Sequence, residues 1–143
     1  MNILVSACLL GVRCRYDGAS KPNEAVLKLM ERHTLIPVCP EQLGGLATPR
    51  PPAERQGEAV RTQSGTDVTE QYRRGAEEAL RLCRLYDCRA AVLKERSPSC
   101  GSGEVYDGTF SGALTDGDGV TAELLRANGI PVYGESALEE LLN

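Results

Sequence analysis

Three short apolar runs, Asn2 to Ala7, Leu35 to Val38 and Ala90 to Leu93, are rich in β-formers and are each bounded by turn-forming or charged residues. Runs of that length and makeup read as buried strands. Between them the period changes. Asn23 is a capping candidate for a helix over 24–32, and Asp67 precedes a helix over 68–86 in which Val68, Tyr72, Ala76, Leu80 and Cys83 recur near helical spacing. Beyond residue 100, the stretch 105–110 reads as a hairpin, followed by a helix over 120–127, a strand at 131–133 and a short terminal helix. Strand and helix alternate, which gives an α/β expectation: a three-layer αβα sandwich with a mainly parallel sheet, in a single domain over 1–143. A chain of 143 residues suits this reading, since a domain of this size buries roughly 70% of the surface its unfolded chain exposes and folds without staples.

In open sheets of this kind ligands bind outside the carboxyl ends of the strands, where the connecting loops converge. Cys8 follows the first run, Cys39 follows the second, and Cys100 lies on the loop leaving the third. The fold can therefore gather three thiols at one sheet edge. The chain has six cysteines. A large core and an expected reducing compartment favour metal or catalytic use over disulfides, and the absence of any C-x-x-C pair argues against a zinc knuckle. Cys83, inside a helix, and Cys88 are better read as packed or surface thiols. Cys14 stays open, because its loop is close to Cys8. The segment 40–66 has little periodicity and carries Gly44, Gly45, Pro49, Pro51 and Pro52, which reads as a long functional loop facing substrate.

Charge and hydropathy narrow the partners. A net charge of −4 and a pI near 5.1 supply no overall positive field for nucleic acid or an anionic membrane. No apolar run reaches the roughly 20 residues of a membrane helix, and the first residues lack the basic flank of a signal peptide. The expectation is a cytoplasmic protein, a monomer or weak dimer, acting on a small molecule with neither nucleic acid nor membrane as partner. There is no phosphate-binding glycine loop, no nucleophile elbow and no zinc-deaminase pattern. The single histidine, His33, falls at a helix end, so serine–histidine or cysteine–histidine catalysis has no evident base.

Four ordered segments stand out: Ser6-Ala7-Cys8-Leu9-Leu10-Gly11 running on to Arg15-Tyr16-Asp17-Gly18; Val38-Cys39-Pro40-Glu41; Pro49-Arg50-Pro51-Pro52-Ala53-Glu54; and Ser97-Pro98-Ser99-Cys100-Gly101. Together with Gly119-Val120-Thr121-Ala122, they resemble the thiouracil desulfurase family over nearly the whole chain. The resemblance implies a 4Fe-4S cluster held by Cys8, Cys39 and Cys100, with one iron open to the sulfur of a thiolated pyrimidine. Three thiolates leave a vacancy that the usual four would fill, and an open iron is a Lewis acid suited to a soft thiocarbonyl sulfur. The implied reaction is a non-redox desulfuration to the oxo compound with release of hydrosulfide. It needs an acid/base, for which Glu41, two residues beyond a cluster ligand, is the first candidate.

Ser97 and Asp17 are further catalytic candidates, and Ser99 and Arg50 are candidates for binding substrate or supporting the cluster. Each has a plainer alternative. Asp17-Gly18 is also an ordinary turn pair, Ser97-Pro98-Ser99 is also a rigid turn that aims Cys100, and Arg50, Arg55 and Arg61 either balance an anionic centre or are merely solvated. Two other functions stay open: a zinc- or cluster-binding module that senses or stores without turnover, and insertion of sulfur into a nucleobase.

Overall fold

The computed structural model of the chain describes residues 1–142. Strand β1 (Asn2–Ser6) lies between β2 (Thr34–Val38) and β5 (Cys88–Leu93), and β8 (Val132–Gly134) adds to the far side of β5. Every pairing in this four-stranded sheet is parallel. Because side chains alternate along a strand, Ile3 and Val5 enter one core and Leu4 the other. The first core is closed by Val26 of α1 (Glu24–Lys28), by Leu29 and by Leu138 and Leu141. The second is closed by Ala79, Leu80 and Cys83 of α3 (Thr69–Leu85) and by Ala122 and Leu125 of α4 (Val120–Ala127). This is the three-layer, mainly parallel arrangement expected from the order of elements. Ile3, Leu4 and Val5 are fully buried, each contributing about 1.5–3 kcal/mol of transfer free energy.

Local chemistry explains most boundaries. The Asn23 side chain accepts the Val26 N–H at 3.1 Å and starts α1. The expected helix over 24–32 divides, since its last part tightens into a 3₁₀ turn at Leu29–Glu31, a common way to satisfy terminal carbonyls. Asp67 accepts the Thr69 N–H at 2.9 Å and Val68 takes the cap position of α3.

Two connections depart from expectation. The segment 40–66 contains α2 (Pro40–Leu43) and an antiparallel pair, β3 (Ala53–Gln56) with β4 (Ala59–Thr62). Its strands are four residues long and only Val60 and Thr62 are buried, so their apolar pattern is too brief to register as a period. Val60 packs with Val68 and Tyr72 in a small separate core. The second hairpin exists, but its strands are β6 (Glu104–Tyr106) and β7 (Leu114–Asp116) with 107–113 as the connection. The Asp107 carboxylate draws in both the Thr109 N–H and hydroxyl, so Asp107-Gly108 opens a longer loop instead of forming the turn.

Helix α2 touches α3 at two glycines. A Cβ at Gly44 would run into the Gln71 carbonyl, and one at Gly75 into the Pro40 carbonyl. The backbones meet where no side chain fits. In an exposed helix interior, Gly→Ala stabilises by about 1 kcal/mol; here the sign reverses. Gly75→Ala should destabilise by about 1–3 kcal/mol, as overpacking does, with the denaturant midpoint as the measurement; an unchanged or higher midpoint would contradict the close packing.

Candidate functional site

The carboxyl ends of β1, β2 and β5 open into a cavity of about 620 Å³. Cys8 reaches it from a 3₁₀ turn, Ala7–Leu10, that leaves β1 directly and ends at Gly11 with φ of 100°. The Cys8 carbonyl accepts the Lys21 N–H at 2.9 Å, which folds the following loop back over it. Cys39 directly follows β2, in extended conformation, as the cap of α2. Cys100 is set by a turn in which the Ser97 hydroxyl oxygen accepts the N–H groups of Ser99 and Cys100, each at 3.1 Å, while Gly101 N–H donates to the Ser97 carbonyl at 2.8 Å. All three thiols line the cavity, and Cys14 lines it with them. Cys83 and Cys88 pack in the core with α3, where the Cys83 thiol faces the Cys88 carbonyl at 3.8 Å.

Cys14 links the thiols around it. Cys14 lies in hydrogen-bonding reach of Cys39 and Cys8, and the Cys39 thiol points at the Cys14 carbonyl at 3.6 Å. The bond to Cys14, then burial, pushes the Cys39 pKa well above the usual thiol range, with Arg50 pulling the other way. For Cys14 the bond to Cys39 pulls the pKa down, but the Cys8 bond and burial outweigh it and the net direction is up. Burial pushes Cys100 up to about 12, partly offset by a hydrogen bond with Ser6. Buried neutral thiols are what a metal centre displaces protons from on loading. Among the described residues, no three His, Cys, Asp or Glu side chains are grouped closely enough to hold a single metal ion. The donors that line the cavity together are thiols, and thiolates are the ligands that iron–sulfur clusters take.

Glu41 stands on α2, two residues past Cys39, and lines the same cavity. Its Oε1 accepts the Tyr72 hydroxyl at 2.8 Å and Arg50 Nε at 3.1 Å. Arg50 continues from Nη2 to the Cys14 carbonyl at 2.9 Å and from Nη1 to the Thr48 hydroxyl and the Ala47 carbonyl. Its side chain is only 5% exposed, so the guanidinium is used up by the protein. The hydroxyl of Tyr72 is buried, and burial together with the adjacent Glu41 raises its pKa strongly.

The other candidates divide. Ser97 lines the cavity. Ser99 is fully buried, with its hydroxyl 2.8 Å from Thr121 Oγ1, and faces α4 instead of the cavity. Its carbonyl accepts Thr121 N–H at 2.8 Å, which ties the Cys100 turn to the start of that helix. Asp17 is exposed, accepts the Ala19 N–H at 3.0 Å within its own turn, and lies outside the cavity lining, although Arg15 and Tyr16 belong to it. Arg55 is bound to Asp118 and Glu123 on the far side of β3, and Arg61 is near Gln56 and Asp67.

Sequence reasoning missed Ser6, whose hydroxyl accepts the Lys94 N–H at 2.9 Å beside Cys100. It also placed Tyr72 only on a helix face. A tyrosine on a buried helix stripe needs a partner for its hydroxyl, and that requirement was the available signal. Lys94, paired with Glu135 at 2.9 Å, is a further cavity residue no motif announced.

The 2-thiouracil desulfurase family model matches residues 3–137. This chain belongs to that family. It is 45% identical over 150 residues to the uncharacterized protein YbbK of Bacillus subtilis (strain 168), covering 98% of this chain and 99% of that protein. It is also similar to the solved structure of TudS, a [4Fe-4S]-dependent thiouracil desulfidase, with 53% identity, a TM-score of 0.90, and coverage of 99% of this chain and 95% of that one. The family and the fold are those the motifs implied. Among the described residues, no helix is long and apolar enough to cross a membrane.

The thiol pKa values carry a stability consequence. The folded values of about 12 for Cys100 and about 11 for Cys88 exceed the ordinary 9.0, in both cases chiefly through burial. Above pH 9 the folded chain therefore holds protons that the unfolded chain releases, so this stabilisation is full below pH 9 and is lost as pH rises through 11 and 12. The reduced, metal-free protein should melt progressively lower between pH 9 and 12, with a shallower pH slope in Cys100→Ala. Identical slopes would remove Cys100 from the explanation.

Proposed function

We propose that this chain, an enzyme of the thiouracil desulfurase kind, hydrolyses the carbon–sulfur double bond of a 2-thiouracil-like pyrimidine, with a 4Fe-4S cluster held by Cys8, Cys39 and Cys100. The observation that carries the reading is the convergence of three thiols from three strand ends on one cavity, with a carboxylate fixed beside them. The likeness to TudS at 53% identity supports the same cofactor and substrate class. When bound through three thiolates, such a cluster supplies one iron as a Lewis acid matched to a soft thiocarbonyl sulfur.

The chain's residues supply the rest. Glu41 is held through Oε1 by Tyr72 and Arg50, which leaves Oε2 without a hydrogen bond among the described residues and available to the cavity. In this reading Oε2 takes a proton from water as the water oxygen bonds to the ring carbon, and returns it as the carbon–sulfur bond breaks. Sulfur leaves with the bonding pair, so the balance is thiocarbonyl plus water to carbonyl, hydrosulfide and a proton, with no change of oxidation state. Ser97, whose oxygen already accepts two N–H groups, keeps its own proton to donate toward substrate or water. Arg50 orients Glu41 and offsets thiolate charge. Ser99 supports the Cys100 turn through Thr121, and Asp17 holds the turn that presents Arg15 and Tyr16.

Anaerobically reconstituted protein should show broad brown absorbance and release sulfide from 2-thiouracil. Cys39→Ala should lose both. Glu41→Gln should keep the absorbance and lose turnover by about 10²–10⁴-fold, the range for an acid/base group; undiminished turnover would strike Glu41 from the mechanism.

The position of Cys14 favours one other reading, a closed four-thiolate centre in a sensing or storage module. Desulfuration predicts that Cys14→Ala still assembles the cluster and turns over. Loss of the cluster in that variant, together with wild-type protein that releases no sulfide, would favour the closed centre.

A further inference from the structure

Phe110 is the chain's single phenylalanine, and its surroundings do not explain it as a packing residue. It is half-buried and belongs to none of the hydrophobic cores. Its backbone has φ of 56°, in the left-handed region that a bulky residue rarely adopts. It lines the same cavity as Cys8, Cys39 and Cys100. Backbone strain of this kind persists only where surrounding structure over-determines it, and it concentrates at ligand clamps.

The structure shows what imposes it. Glu54 Oε1 accepts two backbone N–H groups from the β6–β7 connection, Gly108 at 2.9 Å and Phe110 at 3.1 Å, from positions 54 and 56 residues away in sequence. Gln56 Nε2 donates to the Gly108 carbonyl at 2.9 Å. The connection lies so close to β3 that a Cβ at Gly108 would approach the Arg55 carbonyl to 3.0 Å and Gln56 Cγ to 2.9 Å, with φ of 92° besides. Three hydrogen bonds thus fasten one hairpin across to the other and carry the phenyl ring to the cavity wall. Glu54 ends the Pro49–Glu54 segment, and the chemistry proposed above gives it no role.

We propose that Phe110 is the stacking platform for the flat heteroaromatic ring of the substrate, and that Glu54 is the positioning residue that holds the platform. This rests on the reading that the substrate is a thiolated pyrimidine. A phenyl face stacks on any planar ring without demanding a hydrogen-bond pattern, so it holds the ring in place while the polar groups of the same cavity handle sulfur and water. Stacking present in both bound substrate and transition state lowers KM and leaves kcat nearly unchanged.

A single phenylalanine makes the test specific, because incorporation of 4-fluorophenylalanine gives one ¹⁹F resonance, from residue 110. In the cluster-loaded enzyme, titration with uracil should move that resonance saturably. Phe110→Ala should raise KM for 2-thiouracil about tenfold with kcat within about threefold, and Phe110→Tyr should restore KM. Glu54→Ala should raise KM and weaken the ¹⁹F response to uracil while the melting temperature stays within a few degrees of wild type. An unmoved resonance, or an unchanged KM in Phe110→Ala while 2-thiouracil is still turned over, overturns the platform. If the wild-type enzyme releases no sulfide from 2-thiouracil, the underlying reaction is wrong, and the ¹⁹F titration still judges the platform separately: a saturable shift supports it and none rejects it.

Discussion

Parallel pairing of β1 with both β2 and β5 is the constraint on which the site depends. Ser6 stands opposite Val38, and Val5 opposite Val92, so the three chains leave the sheet at nearly one level and in one direction. Parallel strands need long crossovers, which is why thiols that meet in space stand so far apart in sequence. A slip of one residue in β1 would exchange Ile3 and Val5 with Leu4 between the two cores. Burial of those side chains therefore fixes the register, and the register fixes the level at which Cys8 and Cys39 emerge, while the Ser97 turn beyond β5 brings Cys100 to them.

Around that edge the polar groups form one chain of support. Tyr72 and Arg50 both bind Glu41 through the same oxygen, and Arg50 goes on to the Cys14 carbonyl. The carboxylate is consequently coupled to the loop after β1 as well as to its own helix. Ser6 and Ser97 each accept backbone N–H groups beside Cys100, and Ser99 shares a bond with Thr121 Oγ1 behind it, so three hydroxyls brace the turn that carries the thiol. Hydrogen bonds of this kind restrain the cavity walls, and restrained walls lower the ordering cost of binding.

What could be read from sequence follows physical lines. Strands β1, β2 and β5, buried and apolar, announce themselves, and a cysteine immediately beyond a strand inherits its address; Cys8 and Cys39 needed nothing more. The segments carrying the rim were obscure because β3 and β4 are too short for periodicity and are held by hydrogen bonds to distant chain. Ser99 and Asp17 show the limit of motif reasoning: both stand within recognisable segments, yet one hydroxyl turns toward Thr121 and the other carboxylate closes its own turn. Side-chain direction is a tertiary property. Tyr72 was hidden for the opposite reason, since its helical spacing was fully accounted for by burial.

The separation of the two small hairpins from the main sheet has a consequence for what the cavity admits. β3–β4 rests on a minor core of Val60, Val68 and Tyr72, and β6–β7 is fastened both to that hairpin and, through Val105 beside Arg96 and Gly101, to the segment that carries Cys100. Neither hairpin shares a ladder with the main sheet, so the register of the sheet does not depend on theirs. The fold thus divides into a sheet that places the cysteines and a rim that closes the cavity over them, so substitutions in the rim would reshape what the cavity admits before they reach the sheet.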